Sequence, residues 1–277
     1  MKGLIVTADD FGAAPEVNDA VEQGHRDGIL TAASLMISAP AAADAVARAK
    51  SLPRLRVGLH LVLVEGRPTL PADQVAGLVD AHGLFRTDMA AAGAAMFFLP
   101  RVRRQLEAEI EAQFAAFRAT GLALDHVNAH KHFHLHPTIA STILRVGKRY
   151  GLRAIRVPLE PRKVLMRAEP GAKIPHAFVT APWALLSRAR FRVAGLRVPD
   201  AVFGLAWSGA MTSARLFGLI ENLPKGLSEI YLHPATCSYF GSAPDYRYAD
   251  ELAALVAPRV VEASRNSAIA RGGFADF

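Results

Sequence analysis

Apolar runs alternate with amphipathic stretches along all 277 residues of the chain. Gly3–Ala8 is a short, mainly apolar run ending in charge, the pattern of a buried strand. Pro15–Asp27 follows with helical spacing, a proline at its start and Gly28 after its end. The same reading predicts strands at Ser34–Ser38, Arg56–Leu63, Ala123–Ala129, Ala154–Val157, Phe203–Trp207 and Glu229–Leu232. It predicts helices at Ala41–Lys50, Arg101–Thr120, Pro137–Tyr150, Ser213–Asn222 and Asp245–Ser264. Repeated β-then-α order implies a parallel sheet with crossover helices. About seven strands suit a closed or nearly closed barrel better than an open sheet. The expected fold is therefore α/β, an irregular TIM-barrel-like (β/α) barrel. It forms one domain over residues 1–277, with insertions at Leu63–Met96 and Leu159–Val202 that are long for loops.

Composition narrows the class. The chain is 51% hydrophobic and 21% charged, as expected of a folded protein with a sizeable core. The single Cys237 excludes an internal disulfide and a cysteine-based zinc cluster. The opening Met1-Lys2-Gly3-Leu4-Ile5-Val6 is too short for a signal sequence, and Met89–Leu99 is about half the ~20 apolar residues of a spanning helix. A cytoplasmic protein is the expectation. The net charge of +7 is uneven, because Arg145–Arg197 holds thirteen Lys/Arg against Glu160 and Glu169. Such a run is either a solvated basic face or a surface that meets phosphates. No nucleic-acid-binding motif accompanies it, so no nucleic-acid partner is expected; anionic lipid headgroups remain open.

Candidate chemistry lies at strand ends, where βα loops build the active face of a barrel. Asp9 and Asp10 follow the first strand directly. On an extended chain, neighbouring carboxylates point to opposite sides, so one can bind a metal while the other faces substrate or water. One of them could instead cap the next helix, although capping needs a single Asp. His60 sits in the apolar Val57-Gly58-Leu59-His60-Leu61-Val62, where a core histidine is the common outcome; Gly58 shares its face and leaves room beside it. The strongest feature is Asp125-His126-Val127-Asn128-Ala129-His130-Lys131-His132-Phe133-His134-Leu135-His136. If extended, it projects His130, His132, His134 and His136 to one side. A core does not absorb so many imidazoles without partners, and imidazole is a frequent metal ligand. An exposed His-rich loop is the alternative. His233 closes the strand Glu229–Leu232.

Together, Thr7-Ala8-Asp9-Asp10-Phe11-Gly12, Gly58-Leu59-His60, Asn128-Ala129-His130-Lys131-His132-Phe133-His134 and His233-Pro234 resemble the YdjC-like carbohydrate deacetylases, in order and over nearly the whole chain. The resemblance implies an irregular (β/α) barrel that hydrolyses the N-acetyl group of an amino sugar. It implies that Asp10, His60 and His130 hold one divalent metal, with Asp9 as general base and His233 as candidate general acid. His132 and His134 would order the ligands from behind or bind substrate. Ligands of this mixed N/O kind suit Zn, Co, Ni, Mn or Mg. The opening segment, Asp27-Gly28-Ile29-Leu30-Thr31-Ala32-Ala33-Ser34-Leu35-Met36 and Asp125–His130 look most like the hopanoid-biosynthesis-associated branch. That branch implies N-acetylglucosaminyl bacteriohopane polyol, a glycolipid, as substrate. The chitooligosaccharide branch, with diacetylchitobiose-like substrates, is the nearest relative and has a carboxylate where this chain has Asn128. A metallo-phosphoesterase would call for a second metal and more carboxylates. A binder without catalysis would not need Asp9 beside Asp10. A glycolipid substrate also implies peripheral contact with the anionic inner face of the membrane. Two stretches suit that contact: Met89–Leu99 followed by Arg101, Arg103 and Arg104, and the Trp- and Arg-containing Trp183–Val198.

Overall fold

The structure is a computed structural model that describes residues 2–172, 181–266 and 268–277. Part of the insertion Leu159–Val202, including Lys173 of the basic run, lies outside the described residues.

The described chain builds a curled parallel sheet in the order β4-β3-β2-β1-β6-β5. Its strands are β1 (Lys2–Phe11), β2 (Ala32–Leu35), β3 (Arg56–Leu61), β4 (Val127–Ala129), β5 (Ala201–Phe203) and β6 (Gly226–Leu232). The helices between them are α1 (Pro15–Arg26), α2 (Ala42–Ser51), α3 (Met89–Phe98), α4 (Pro100–Ala119), α5 (Pro137–Arg149), α6 (Arg162–Ala168), α7 (Ala181–Val193) and α8 (Ser213–Glu221). After β6 come α9 (Tyr248–Val256), α10 (Pro258–Ser264) and β7 (Ile269–Arg271). This is the TIM-barrel-like α/β fold expected, in an irregular form.

β1 is the spine of the sheet. Residues from Leu4 to Ala8 are fully buried, because helices cover one face and the curl of the sheet encloses the other. One edge pairs with β6 from Lys2 to Ala8. The other edge is shared: β7 pairs with Lys2–Leu4, and β2 takes over at Thr7.

Several boundaries differ from the sequence reading, each for a local reason. The second strand is Ala32–Leu35 rather than Ser34–Ser38, since the chain turns after the Met36 N–H bonds to the Phe11 carbonyl. Ala154–Val157 forms no strand. It makes isolated bridges, Val127 to Ile155 and Ala154 to Arg197, and beyond it the Val202 amide donates to the Leu159 carbonyl. Isolated bridges and bonds of this kind fill the space between β4 and β5 in place of a ladder. The strand expected at Phe203–Trp207 is Ala201–Phe203 and stops at Gly204 (φ +136°), where any Cβ would lie 2.5 Å from the Tyr231 carbonyl. The helix expected at Asp245–Ser264 begins at Tyr248 and is cut in two by Pro258, whose ring cannot continue an interior turn. The insertion after β3 carries α3, and the one before β5 carries α6 and α7. No described helix is long and apolar enough to cross a membrane.

Candidate metal centre

The strands deliver their polar residues to one end of the sheet, but not by regular pleating. Asp10 has φ 62°, and the pairing of β1 with β2 slips between Ala8 and Phe11. This bulge corrects the expectation that the two carboxylates splay to opposite sides. Both turn toward His60: Asp10 Oδ1 lies 3.3 Å from His60 Nε2, and Asp9 Oδ1 lies 4.0 Å from His60 Nδ1. Asp tolerates left-handed φ better than most residues, though a non-glycine in that region still carries strain.

His130 follows β4 directly and places Nδ1 3.4 Å from Asp10 Oδ1. Its ring meets that of His60 edge-on, with centroids 5.7 Å apart. One ligating atom each from Asp10, His60 and His130 lies within 4.8 Å of the others. Asp10 Oδ1 and His60 Nε2 are buried with no hydrogen-bond partner. Orphaned buried polar atoms are costly, and a cation at their common focus would satisfy both. One carboxylate and two imidazoles leave positions free for other ligands, so the residues present fit a divalent metal. Burial alone would push the Asp10 carboxyl up, but His130 and His60 outweigh it and hold Asp10 well below the usual carboxylate range. Burial pushes His60 down, yet Asp10 and Asp9 reverse the direction and raise it.

The histidine run is not extended, and its side chains do not share one side. β4 ends at Ala129, and His130–Leu135 is a 3₁₀ turn in which Lys131 and His132 take left-handed φ of 53° and 55°. The side chains diverge as a result. His132 Nε2 meets the Tyr231 hydroxyl at 2.9 Å, and His134 Nε2 meets the Arg156 carbonyl at 2.9 Å. His136 packs edge-on against Phe97 and Phe133. Burial drives His132 well below its ordinary value and His134 down to about 3, so both are neutral in the fold.

Asp9 is held from the opposite quarter. Arg156, fully buried, pairs through Nη1 with Asp9 Oδ2 and through Nη2 with Glu229 Oε1 at 2.6 Å. Thr7 donates to the same Glu229 oxygen at 2.8 Å, and Asn128 Nδ2 donates to Asp9 Oδ1 at 3.0 Å. Burial would raise Asp9, but Arg156 and His60 hold it far below the ordinary range, and Asp9 and Glu229 push Arg156 up. The sequence reading missed Arg156, Glu229 and Asn128 as site residues. The signal was a charge inside each apolar run, Ile155-Arg156-Val157 and Ser228-Glu229-Ile230, since buried charges need partners. Gly58 was read as making room for His60. In fact a Cβ there would lie 2.5 Å from the His126 ring, so the space belongs to His126.

Asp9, Asp10, His60, His130, His132 and His233 all line one cleft of about 780 Å³. His134 does not line it, because its ring turns away to the Arg156 carbonyl. His233 follows β6; Glu251 of α9 accepts its backbone N–H, and its ring packs between Tyr231 and Tyr246. His233 Nδ1 is buried without a partner. The described non-glycine residues with positive φ are Asp10, Glu65, Lys131 and His132, and each lines this cleft. Strain gathered at one place is a mark of a working site.

The model of the YdjC-like protein family matches residues 3–266. The chain belongs to the YdjC-like family. This YdjC-like chain is 31% identical to the carbohydrate deacetylase of Geobacillus stearothermophilus, over 93% of this chain and 90% of that protein. It is 34% identical to the carbohydrate deacetylase of Mus musculus, over 83% of this chain and 77% of that one. A match of 38% to the Brevibacillus brevis carbohydrate deacetylase covers 56% of this chain and only 58% of that protein's length. Among solved structures, a protein of Enterococcus faecalis V583 named for cellobiose-phosphate cleavage superposes with TM-score 0.77 at 23% identity. That match covers 99% of this chain and 98% of the other, and it speaks for the fold.

Proposed function

We propose that this YdjC-like chain is a metal-dependent deacetylase that hydrolyses the N-acetyl group of an amino sugar. The observation that carries the reading is the pair of orphaned, buried atoms Asp10 Oδ1 and His60 Nε2, set beside a separately anchored, ionised Asp9 in one cleft. The names of the relatives supply the substrate class. A divalent ion (Zn, Co, Ni, Mn or Mg) held by Asp10, His60 and His130 would polarise the amide carbonyl and acidify a water. Asp9, fixed by Arg156 and Asn128, accepts the proton as the water oxygen bonds to the carbonyl carbon. The C–N bond then breaks as His233 gives a proton to the departing nitrogen, leaving a free amine and acetic acid, which ionises to acetate in solvent. Asp9 and His233 reset by exchanging one proton through solvent. His132 holds Tyr231 against the cleft, and His134 holds the backbone that carries Arg156.

The substrate we favour is N-acetylglucosaminyl bacteriohopane polyol, a sugar on a large apolar aglycone. A groove of about 310 Å³, lined mainly by Met89, Phe133, Leu135, Pro158 and Trp183, shares Lys131, His132 and Leu205 with the cleft. Phe97, Phe98, Leu185 and Leu186 are exposed on α3 and α7, and Leu99 just after α3, which suits peripheral contact with a lipid surface. One observation favours the chitooligosaccharide reading instead. Four of the thirteen basic residues of the run are already paired: Arg145 with Glu107, Arg149 with Glu111, Arg192 with Asp200, and Arg156 in the core. The cationic surface left for anionic lipid is correspondingly smaller. Acetate release from the glycolipid and from diacetylchitobiose, with sedimentation on anionic and neutral vesicles, tests the choice. Faster turnover of the glycolipid and salt-sensitive binding to anionic vesicles are expected. Faster turnover of diacetylchitobiose with no vesicle binding would assign the chain to the soluble substrates.

A further inference from the structure

A buried polar chain runs across three strands behind the metal centre. Register places Ser34 of β2 beside Gly58 of β3, and His60 of β3 beside Asn128 of β4. Ser34, His126 and Asn128 are fully buried, and Asp125 is 5% exposed. The contacts are His60 Nδ1 to Asn128 Oδ1 at 2.7 Å, Asn128 Nδ2 to Ser34 Oγ at 3.0 Å and Ser34 Oγ to His126 Nε2 at 3.0 Å. His126 Nδ1 then meets Asp125 Oδ2 at 2.9 Å. At the far end, Asp125 accepts the backbone N–H groups of Phe274 and Ala275, and Phe274 stacks on the His126 ring at 4.3 Å.

Each proton in this chain has one place to go. Asn128 Nδ2 has two hydrogens, and they meet the Asp9 carboxylate and Ser34 Oγ. Flipping the amide would set its oxygen against the Asp9 anion, so the orientation is fixed by charge. Asn128 Oδ1 can then only accept, which puts a proton on His60 Nδ1 and leaves Nε2, the atom facing Asp10, with its lone pair free. Ser34 Oγ accepts from Asn128 and gives its own hydrogen to His126 Nε2. His126 therefore carries its proton on Nδ1, where Asp125 accepts it. This is the arrangement in which none of these donors lacks an acceptor.

We propose that Asp125, His126, Ser34 and Asn128 are positioning residues, a one-way hydrogen-bond chain that selects the His60 tautomer able to ligate a metal and fixes the Asp9 carboxylate beside it. The chain rests on the reading of His60 as a ligand, and to Asn128 it adds Ser34, His126 and Asp125. Nitrogen-15 NMR of the metal-free protein, taken above the pH at which the His60 imidazolium loses its proton, should find the remaining proton on Nδ1; a proton on Nε2 overturns the proposal. Titration of Zn²⁺ into the metal-free Ser34→Ala protein should show affinity lower by about 10–100-fold, and Ser34→Thr, which keeps the hydroxyl, should restore it. Gly58→Ala should weaken Zn²⁺ binding in the same way, because its methyl group would press on the His126 ring at 2.5 Å. Zn²⁺ affinity unchanged in Ser34→Ala also overturns the proposal. A wild-type chain that binds no Zn²⁺ would contradict the proposed function instead, and the tautomer measurement would still judge the chain of bonds.

Discussion

Two groups of polar residues lie side by side at the same end of the sheet, and they are built in opposite ways. Around Asp9, both carboxylate oxygens are partnered: Arg156 pairs with Oδ2 and Asn128 donates to Oδ1, while Arg156 and Thr7 share Glu229 Oε1 and leave Glu229 Oε2 without a partner. Around Asp10, buried ligating atoms are left without partners. Both groups are buried, so desolvation does not separate them. The difference lies in what is missing. A carboxylate with both oxygens held is fixed in place, whereas one whose Oδ1 faces two imidazoles without a partner offers a focus for a cation. The partners of Asp9 hold it beside that focus.

The sharpest way to break this comparison is to remove charge from the Asp9 side without changing its shape. Asp9→Asn should cut turnover by about 10²–10⁴-fold, with metal content near wild type by elemental analysis. A metal-free Asp9→Asn protein would mean that the two aspartates have exchanged roles. Next in size is Arg156→Met. It strands Asp9 and Glu229 as unpaired buried anions, and loss of one partner of a buried ion network costs about 3–5 kcal/mol. Denaturant unfolding should report that loss; stability within the error of wild type would show that Arg156 is not the anchor.

A smaller effect sharpens the picture of the histidines that lie outside the candidate metal centre. His134 has a folded pKa of about 3, below its ordinary 6.5. Between those values the unfolded chain binds a proton that the fold refuses, so stability is full above pH 6.5 and is lost as the pH falls toward 3. His134→Gln, which can still donate to the Arg156 carbonyl, should make the stability–pH curve shallower by about 1.4 kcal/mol per pH unit in that window. Urea titrations at several pH values would read it, and parallel curves for the two proteins would contradict it.

How much of this is legible in the sequence follows from the range of each interaction. Asp10, His60 and His130 stand out because each is a metal-ligating type at or near the end of an apolar run, and a parallel barrel brings such ends together. The fold class brings such ends together, but the choice of these three among the neighbouring Asp and His residues is what the family resemblance implies. The turn at His130–Leu135 is not legible, since alternation in the sequence says nothing of the left-handed Lys131 and His132 that end the strand. Nor is the bulge at Asp10, which alone decides that both carboxylates face His60. Arg156 is the instructive omission. Counted among thirteen basic residues it reads as surface, whereas its apolar neighbours Ile155 and Val157 mark it as buried. Its partners Asp9 and Glu229 lie 147 and 73 residues away, so only the folded chain shows why the charge is tolerated.

The central claim is that the ligating atoms of Asp10, His60 and His130 hold one metal that the reaction requires. It is tested most directly by measuring bound divalent ions per chain together with acetate release from N-acetylated amino sugars, before chelation, after it and after metal is returned. The account predicts one ion per chain, loss of acetate release on chelation, and recovery when metal is added back. Undiminished acetate release from the metal-free chain would contradict it, as would two ions per chain with hydrolysis of phosphate esters instead.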